Sequence, residues 1–126
     1  MLVEDNDLIR ECVAKLLKNW GHETTAYANA EVASKRLQET DVDLLITDIV
    51  LPGMSGVELA KFAFERQSSL EIVLITGYQT SDNSDIESLG DSVRLLSKPF
   101  QPNQLREVID QLTVSAGRGE ASSQPN

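Results

Sequence analysis

The stretch from Leu44 to Gly56 reads LLITDIVLPGMSG. Its apolar and β-branched residues lead directly into Asp48, after which Pro52 and Gly53 turn the chain. A continuous apolar run of this kind is typical of a strand that is covered on both faces of a parallel sheet. Because a buried charge without a partner is costly, a carboxylate at the end of such a strand requires one.

Helical and extended patterns alternate along the rest of the chain. Apolar residues recur at three- and four-residue spacing from Asp7 to Trp20, which predicts an amphipathic helix with Asp7 as its N-cap and Gly21 as its end. Cys12 lies on the apolar stripe of this helix, so we interpret it as a packing residue. Further helices are predicted over 29–39, 55–66 and 101–112, and strands over 1–3, 22–28, 42–47, 70–76 and 93–97. This alternation predicts a parallel sheet with helices on both faces.

Two segments depart from the alternating pattern. Between 79 and 90 only Ile86 and Leu89 are apolar anchors, which predicts a short or frayed fourth helix. From Thr113 to Asn126 the sequence has no periodicity. We therefore expect a single domain over 1–112 followed by a disordered tail over 113–126.

Composition and charge argue against several classes of function. The chain has 126 residues, of which 20 are acidic and 11 are basic, so its net charge is −9. This sign argues against a nucleic-acid-binding surface, which needs clustered lysine and arginine. No apolar run approaches the ~20 residues that span a bilayer. The single cysteine precludes an internal disulfide and favours a reducing compartment, so we expect a cytoplasmic domain that does not contact the membrane.

Polar side chains occur where the apolar strands end. They are the Glu4-Asp5 pair after the first strand, Asp48, Thr76 and Lys98. Each has an ordinary structural interpretation, as a helix or turn cap for the acids and as a surface position for the lysine. Parallel strands bring their carboxyl ends to one edge, where ligands bind in such sheets. Four strand ends that carry complementary groups therefore favour a functional site.

The charges at this edge predict a metal-dependent phosphoryl transfer. Two carboxylates about 4 Å apart repel by roughly 4 kcal/mol at an effective dielectric constant near 20. Lys98 supplies only one positive charge against three negative ones, and Mg²⁺ fits such a site because it prefers oxygen ligands and retains water. Asp48 would attack phosphorus in line, while the metal and Lys98 neutralise phosphoryl oxygens and Thr76 donates a hydrogen bond to one of them.

The same residues give the chain a resemblance to a known family. From Leu2 to about Leu112, the sequence resembles the receiver (response-regulator) domain of bacterial two-component signalling. The resemblance is carried by VEDND at 3–7, DIVLPGMSG at 48–56, LITG at 74–77 and SKPF at 97–100. Together these motifs are specific, although each of them alone would be a weak signal.

The resemblance implies a fold and an activity. The fold is a flavodoxin-like, doubly wound α/β structure with a five-stranded parallel sheet of order 2-1-3-4-5 and a cis peptide bond before Pro99. Asp48 would accept phosphate from a histidine kinase or a histidine phosphotransfer domain. The domain would then act as a phosphorylation-controlled switch that helps to catalyse its own phosphorylation and dephosphorylation, rather than as an enzyme. Mg²⁺ would be bound by Asp5, Asp48 and the backbone carbonyl of Val50, with Glu4 acting through water.

Three features depart from the usual pattern of that family. Leu95 occupies a position that is often aromatic, so Tyr78 is either a substitute switch residue or a half-buried loop tyrosine. The polar segment after Gly77 argues against a strong symmetric dimer, and we expect a monomer or weak association. Only three residues precede the first acids, which suggests missing upstream residues, as in a C-terminal receiver of a hybrid histidine kinase.

Other functions are compatible with parts of this pattern. A degenerate receiver that serves only as a protein-binding module is the main alternative, although all five site residues are retained. Haloacid-dehalogenase-type phosphatases require a second aspartate where this chain has Val50. A flavodoxin-like cofactor carrier is disfavoured because the carboxylates of Glu4 and Asp5 would repel its phosphate.

Overall fold

The computed structural model describes residues 1–67, 69–77 and 93–115. Its strands are β1 (Leu2–Val3), β2 (Ala26–Tyr27), β3 (Leu44–Asp48), β4 (Glu71–Thr76) and β5 (Val93–Ser97). Its helices are α1 (Asp7–Asn19), α2 (Ala30–Glu39), α3 (Gly56–Arg66) and α4 (Pro102–Ser115). The short helix expected between 79 and 90 and the switch candidate Tyr78 lie outside the described residues, as do residues 116–126.

The five strands form one parallel sheet in the order β2-β1-β3-β4-β5. The predicted α/β class and the strand order implied by the family resemblance are therefore confirmed. Although β1 is only two residues long, it is hydrogen-bonded on both sides, because Leu2 N–H donates to Thr25 O at 2.9 Å and Ile46 N–H donates to Met1 O at 2.9 Å. The peptide bond between Lys98 and Pro99 is cis, as the resemblance implies.

Two hydrophobic clusters, one on each face of the sheet, form the core. Leu45 and Ile72 contribute to the cluster that includes residues of α2 and α3, while their neighbours Ile46 and Val73 contribute to the cluster that includes residues of α1 and α4. Because successive side chains of a strand point to opposite faces, a strand covered on both sides must be apolar throughout. This explains the uninterrupted apolar runs of β3 and β4.

None of the described helices combines the length and the apolar character that a membrane crossing requires.

The N-terminus of α1 differs from the sequence prediction in two respects. Its N-cap is Asn6, whose side chain accepts a hydrogen bond from Ile9 N–H at 3.0 Å, and Asp7 is the first helical residue rather than the cap. The interpretation of Cys12 as a packing residue is also wrong, because its side chain is exposed. The buried stripe of α1 is centred on Val13 and Leu17, and it is narrower than the apolar pattern in the sequence.

The remaining predicted elements have shifted boundaries. The strand predicted over 22–28 is reduced to Ala26–Tyr27, and the last helix extends to Ser115 rather than ending at Leu112. The helix predicted from Ser55 begins at Gly56, because Ser55 is its N-cap in a capping box with Glu58. Such shifts of a few residues arise because end positions depend on tertiary partners as well as on local pattern.

The connection between β3 and α3 is unusually tight. Gly56 N–H donates to Ile49 O at 2.9 Å, which brings the first residue of α3 back against the end of β3. A Cβ added to Gly56 would lie 2.7 Å from the carbonyl carbon of Asp48 and 3.0 Å from Ile49 Cα. The close approach of helix and strand therefore requires glycine at this position.

Gly56→Ala should lower the free energy of unfolding. The atoms that an added Cβ would meet are backbone atoms of the strand end, so they cannot move aside as a flexible side chain could. Overpacking costs about 1–3 kcal/mol, whereas alanine gains at most roughly 1 kcal/mol over glycine in a helix, and we expect a net loss of about 2 kcal/mol. Urea denaturation measures the difference.

Gly77→Ala is the matched control for this substitution. Among the described residues, a Cβ added to Gly77 would meet no heavy atom within 4 Å, so we expect little change in the free energy of unfolding. Equal stability of Gly56→Ala and the wild type would contradict the tight packing of α3 on β3.

Candidate functional site

The carboxyl edge of the sheet brings together the polar residues that end its strands. In register, Val3 lies opposite Thr47 and Ile75 lies opposite Asp48. Glu4 therefore follows β1 at the level of Asp48, and Thr76 follows one residue later on the neighbouring strand. Lys98 comes directly after β5, and its N–H donates to the carbonyl of Thr76 at 2.8 Å.

Lys98 joins two buried carboxylates at this edge. Its Nζ lies 3.0 Å from Asp48 Oδ2 and 3.3 Å from Glu4 Oε1. The second oxygen of Glu4 accepts a hydrogen bond from Asn6 N–H at 3.1 Å. Asp48 ends β3, Glu4 follows β1 and Lys98 follows β5, so this contact links three strands that are far apart in sequence.

The carboxylates of Glu4, Asp5 and Asp48 form an acidic cluster. One oxygen from each of them lies within 4.8 Å of the others, with Glu4 and Asp48 buried and Asp5 exposed. Asp48 Oδ1 is buried and has no hydrogen-bond partner within the described residues. A cluster of three carboxylates against one ammonium, with one buried oxygen left unpaired, has the donor set that suits a hard divalent cation.

The environment shifts the pKa of two groups in this cluster. Burial raises the pKa of Glu4 above its ordinary value of 4.5, and the neighbouring Asp48 raises it further, while Asn6 N–H and Lys98 act in the opposite direction. Burial disfavours the charged form of Lys98, but its hydrogen bond to Asp48, together with the charges of Asp48 and Glu4, raises its pKa overall. Lys98 is therefore held as an ammonium, and the negative charges exceed what it can balance.

The other predicted site residues lie around this cluster. Thr76 is buried at the end of β4, next to the strand position that faces Asp48. Val50 lies two residues after Asp48 with its side chain 79% exposed, and Leu95, which replaces the usual aromatic residue, is 46% exposed on β5. The described structure contains no part of Tyr78, so its proposed role stays a prediction.

Two residues that support the site were not singled out from the sequence. Asn6 caps α1 through its side chain and holds Glu4 through its backbone N–H. Arg10 donates from its guanidinium to the carbonyl oxygen of Glu4 at 2.9 Å, and it also pairs with Asp7 at 2.6 Å. The three-residue spacing of Asp7 and Arg10 on a helix was a visible signal for the ion pair, but the contact with Glu4 depends on how α1 is placed on the sheet.

Comparison with known proteins assigns the family. The sequence pattern of the response regulator receiver domain matches residues 1–110. The chain belongs to the response regulator receiver domain family. It is thus a receiver domain of two-component signalling, as the motifs in the sequence predict.

Two curated relatives are similar to this chain and differ in their own length. The chain is 38% identical over 117 residues to the response regulator receiver protein CpdR of Brucella abortus, covering 92% of this chain and 97% of that protein. It is 31% identical over 130 residues to the response regulator protein FleR of Pseudomonas aeruginosa, covering 99% of this chain but only 28% of FleR. The domain therefore resembles both a receiver that makes up nearly a whole protein and one that is part of a longer protein.

Solved structures show the same architecture. A CheY-like response regulator receiver domain from Methanospirillum hungatei superposes with a TM-score of 0.85 at 25% identity, over 93% of this chain and 94% of that one. The receiver domain of the hybrid histidine kinase CckA superposes with a TM-score of 0.73 at 29% identity, over 88% of this chain and 94% of that one.

Glu4→Gln should change how the stability of the metal-free receiver depends on pH. Because the pKa of Glu4 is raised from 4.5, the folded protein binds more protons at this residue than the unfolded chain does between 4.5 and the raised pKa. The contribution of Glu4 to stability is therefore lost as the pH rises through that raised pKa. The variant lacks this loss, so its stability relative to the wild type should increase with pH across the same window.

Urea denaturation of both proteins in the presence of a chelator, at pH values from about 4 to 8, measures this difference. Taking the difference between the two proteins removes the contributions of the titrating groups that do not interact with Glu4. A stability difference that did not vary with pH would contradict the raised pKa of Glu4.

Proposed function

We propose that this receiver domain is a phosphoacceptor in a two-component phosphorelay, in which Asp48 receives a phosphoryl group from a phosphohistidine. The observation that carries this proposal is the unequal environment of the two Asp48 oxygens. Oδ2 is hydrogen-bonded to Lys98 at 3.0 Å, whereas the buried Oδ1 has no partner within the described residues. Oδ1 therefore keeps its lone pairs available for a cation or an electrophile.

The transfer step follows from the chemistry of these groups. A carboxylate oxygen of Asp48 forms a bond to phosphorus while the phosphorus–nitrogen bond of the phosphohistidine breaks, and the imidazole leaves with the electron pair of that bond. Phosphorylation removes the negative charge of the Asp48 carboxylate that Lys98 pairs with. The ammonium of Lys98 then pairs with a phosphoryl oxygen, and the hydroxyl of Thr76 donates to another.

The acidic cluster also supports dependence on Mg²⁺. Asp5, Asp48 and the backbone carbonyl of Val50 would hold the ion, and Glu4 would act through a water molecule. When bound, the ion would neutralise charge on the phosphoryl oxygens. Asp5 is the exposed member of the cluster, so the ion and the phosphoryl group can reach the site from that side.

The surface beside the site supports a protein partner rather than a small substrate. Leu8 is 70% exposed on α1, and it lines an apolar cleft together with Cys12, Phe100 and Pro102. Lys98 lines the same cleft, so the apolar surface is continuous with the site. We infer that a histidine kinase or a histidine phosphotransfer domain covers this cleft while it presents its phosphohistidine to Asp48.

Further features of this proposal follow from the sequence. The domain acts as a switch that helps to catalyse its own phosphorylation and dephosphorylation, without turnover of a separate substrate. We place it in the cytoplasm, because its single cysteine favours a reducing compartment. A binding module without phosphotransfer is the alternative, but it would not require an unpaired buried carboxylate oxygen beside a lysine.

Asp48→Asn should abolish phosphorylation. Incubation of the wild type with acetyl phosphate and Mg²⁺ should yield a single phosphoryl adduct in the intact mass, and the variant should yield none, because an amide oxygen is a far weaker nucleophile than a carboxylate. Asp43→Asn, an exposed substitution at the start of the same chain segment, is the control and should be modified like the wild type. Absence of an adduct on the wild type with both acetyl phosphate and a phosphorylated kinase domain would favour the binding-module alternative.

Asp5→Asn should weaken Mg²⁺ binding. Removing one of the clustered negative charges should raise the dissociation constant for Mg²⁺ by about 10-fold or more, equivalent to about 1.4 kcal/mol, as measured by calorimetry. Asp7→Asn is the matched control, because Asp7 lies in the same segment but pairs with Arg10 outside the acidic cluster. Equal weakening by both substitutions would indicate a general effect of net charge rather than a specific site.

A further inference from the structure

The loop that follows Asp48 is held by hydrogen bonds at its two ends and by the apolar side chains of Leu51 and Met54, which pack on the core. Ile49 N–H donates to the carbonyl of Ile75 at 2.9 Å, and Gly56 N–H returns to the carbonyl of Ile49 at 2.9 Å, so residues 49–56 form a closed loop. The side chain of Leu51 is buried in the core. Among the described residues, no hydrogen bond involves the backbone of residues 50–53.

A residue outside this loop accepts a hydrogen bond from its second half. Glu31, in the first turn of α2, accepts a hydrogen bond through Oε2 from Met54 N–H at 2.8 Å, across 23 residues of sequence. This hydrogen bond is the main cause of the lowered pKa of Glu31, which is consistent with a bound carboxylate rather than a freely solvated one.

The loop is also shaped around the Glu31 carboxylate. Gly53 adopts the left-handed conformation, with φ of 77°, directly before Met54. A Cβ added to Gly53 would lie 3.2 Å from the carboxylate carbon of Glu31, and its closest contact would be with Oε2 of the same group. Because Gly53 has no Cβ, the carboxylate of Glu31 can occupy the space that a side chain at this position would fill and can reach Met54 N–H.

The helix that carries Glu31 is itself fixed at both ends. Ala30 and Ala33 are buried on either side of Glu31, which seats the first turn of α2 on the sheet. At the other end of α2, the guanidinium of Arg66 in α3 donates to the carbonyls of Leu37 at 3.0 Å and Gln38 at 3.3 Å. The position of Glu31 is therefore set by the packing of α2, and its hydrogen bond can position the loop.

We propose that Glu31 is a positioning residue for the phosphoacceptor site, which holds the loop after Asp48 through Met54 so that the backbone carbonyl of Val50 stays in place to bind the metal. This inference rests on the proposed function and adds a residue to it that lies outside the acidic cluster. Because residues 49–56 form a closed loop, a change of backbone conformation at Met54 can be transmitted to the residues between it and Ile49, which include Val50. Losing the Glu31 acceptor lets Val50 sample positions that bind Mg²⁺ less well.

Three variants separate this role from a general effect on α2. Glu31→Ala removes the acceptor, Glu31→Gln keeps an oxygen acceptor of the same length without its charge, and Glu39→Ala removes a glutamate at the other end of the same helix. Glu39 is exposed and pairs with Arg36 on the surface, so it is matched in residue type and helix but not in contact with the loop. If the charge near the N-terminus of α2 mattered, Glu31→Ala and Glu31→Gln would change amide exchange and Mg²⁺ dependence equally. If the hydrogen bond mattered, only Glu31→Ala would change them.

The first measurement needs neither metal nor phosphate. Hydrogen exchange of the Met54 amide in the metal-free protein should be faster in Glu31→Ala by about 3- to 10-fold, the factor expected for one exposed hydrogen bond, and close to wild type in Glu31→Gln and Glu39→Ala. An unchanged exchange rate of Met54 in Glu31→Ala would show that the loop is held without Glu31 and would overturn the inference.

The second measurement follows phosphorylation by acetyl phosphate at increasing Mg²⁺ concentration. In Glu31→Ala, the concentration of Mg²⁺ that gives half the maximal rate should rise about 3- to 10-fold, while the rate at saturating Mg²⁺ changes less than about twofold, with recovery in Glu31→Gln. If the wild type is phosphorylated and Glu31→Ala needs the same Mg²⁺ concentration for half the maximal rate, the inference is overturned and the proposed function stays intact. A wild type that is never phosphorylated would instead overturn the proposed function, and with it the role of Glu31 in metal binding.

Discussion

Two carboxylates that are both buried and close to each other share one ammonium in this receiver domain. Lys98 Nζ lies 3.0 Å from Asp48 and 3.3 Å from Glu4, and the exposed Asp5 adds a third negative charge nearby. Burial of charge is costly, and here the balancing charge is incomplete. The domain thus keeps an excess of negative charge at one edge of an otherwise well-packed sheet, and a bound cation can balance that excess.

The rest of the fold holds these charges in place. The parallel register aligns the end of β3 with β4 and places Glu4 beside Asp48. Helices cover both faces of the central strands, so a shift of β3 by one residue would move its side chains between the two hydrophobic clusters and disrupt the packing of both. Gly56 then lets α3 begin directly against the end of β3, which limits the movement of the loop that follows Asp48.

Local pattern and motif together predict where the charged residues of the sheet edge lie. An apolar strand leads into Asp48 and another leads into Lys98, so parallel topology predicts that they meet at one edge, and the structure places them in contact. Cys12 shows where local pattern is insufficient, because it fits the apolar spacing of α1 but is exposed. Spacing gives the angular position of a residue on a helix, whereas burial depends on how the whole helix is oriented on the sheet.

The amino-acid sequence by itself determined the α/β class, the strand order implied by the family resemblance and the residues at the carboxyl edge, because these depend on periodicity and on motifs a few residues long. Only the tertiary structure decided which atoms meet. The contact of Lys98 with both acids and the hydrogen bond from Met54 to Glu31 join residues 23 to 94 positions apart. No local pattern encodes such pairs, since their distances are fixed by the register of strands and by the packing of helices on the sheet.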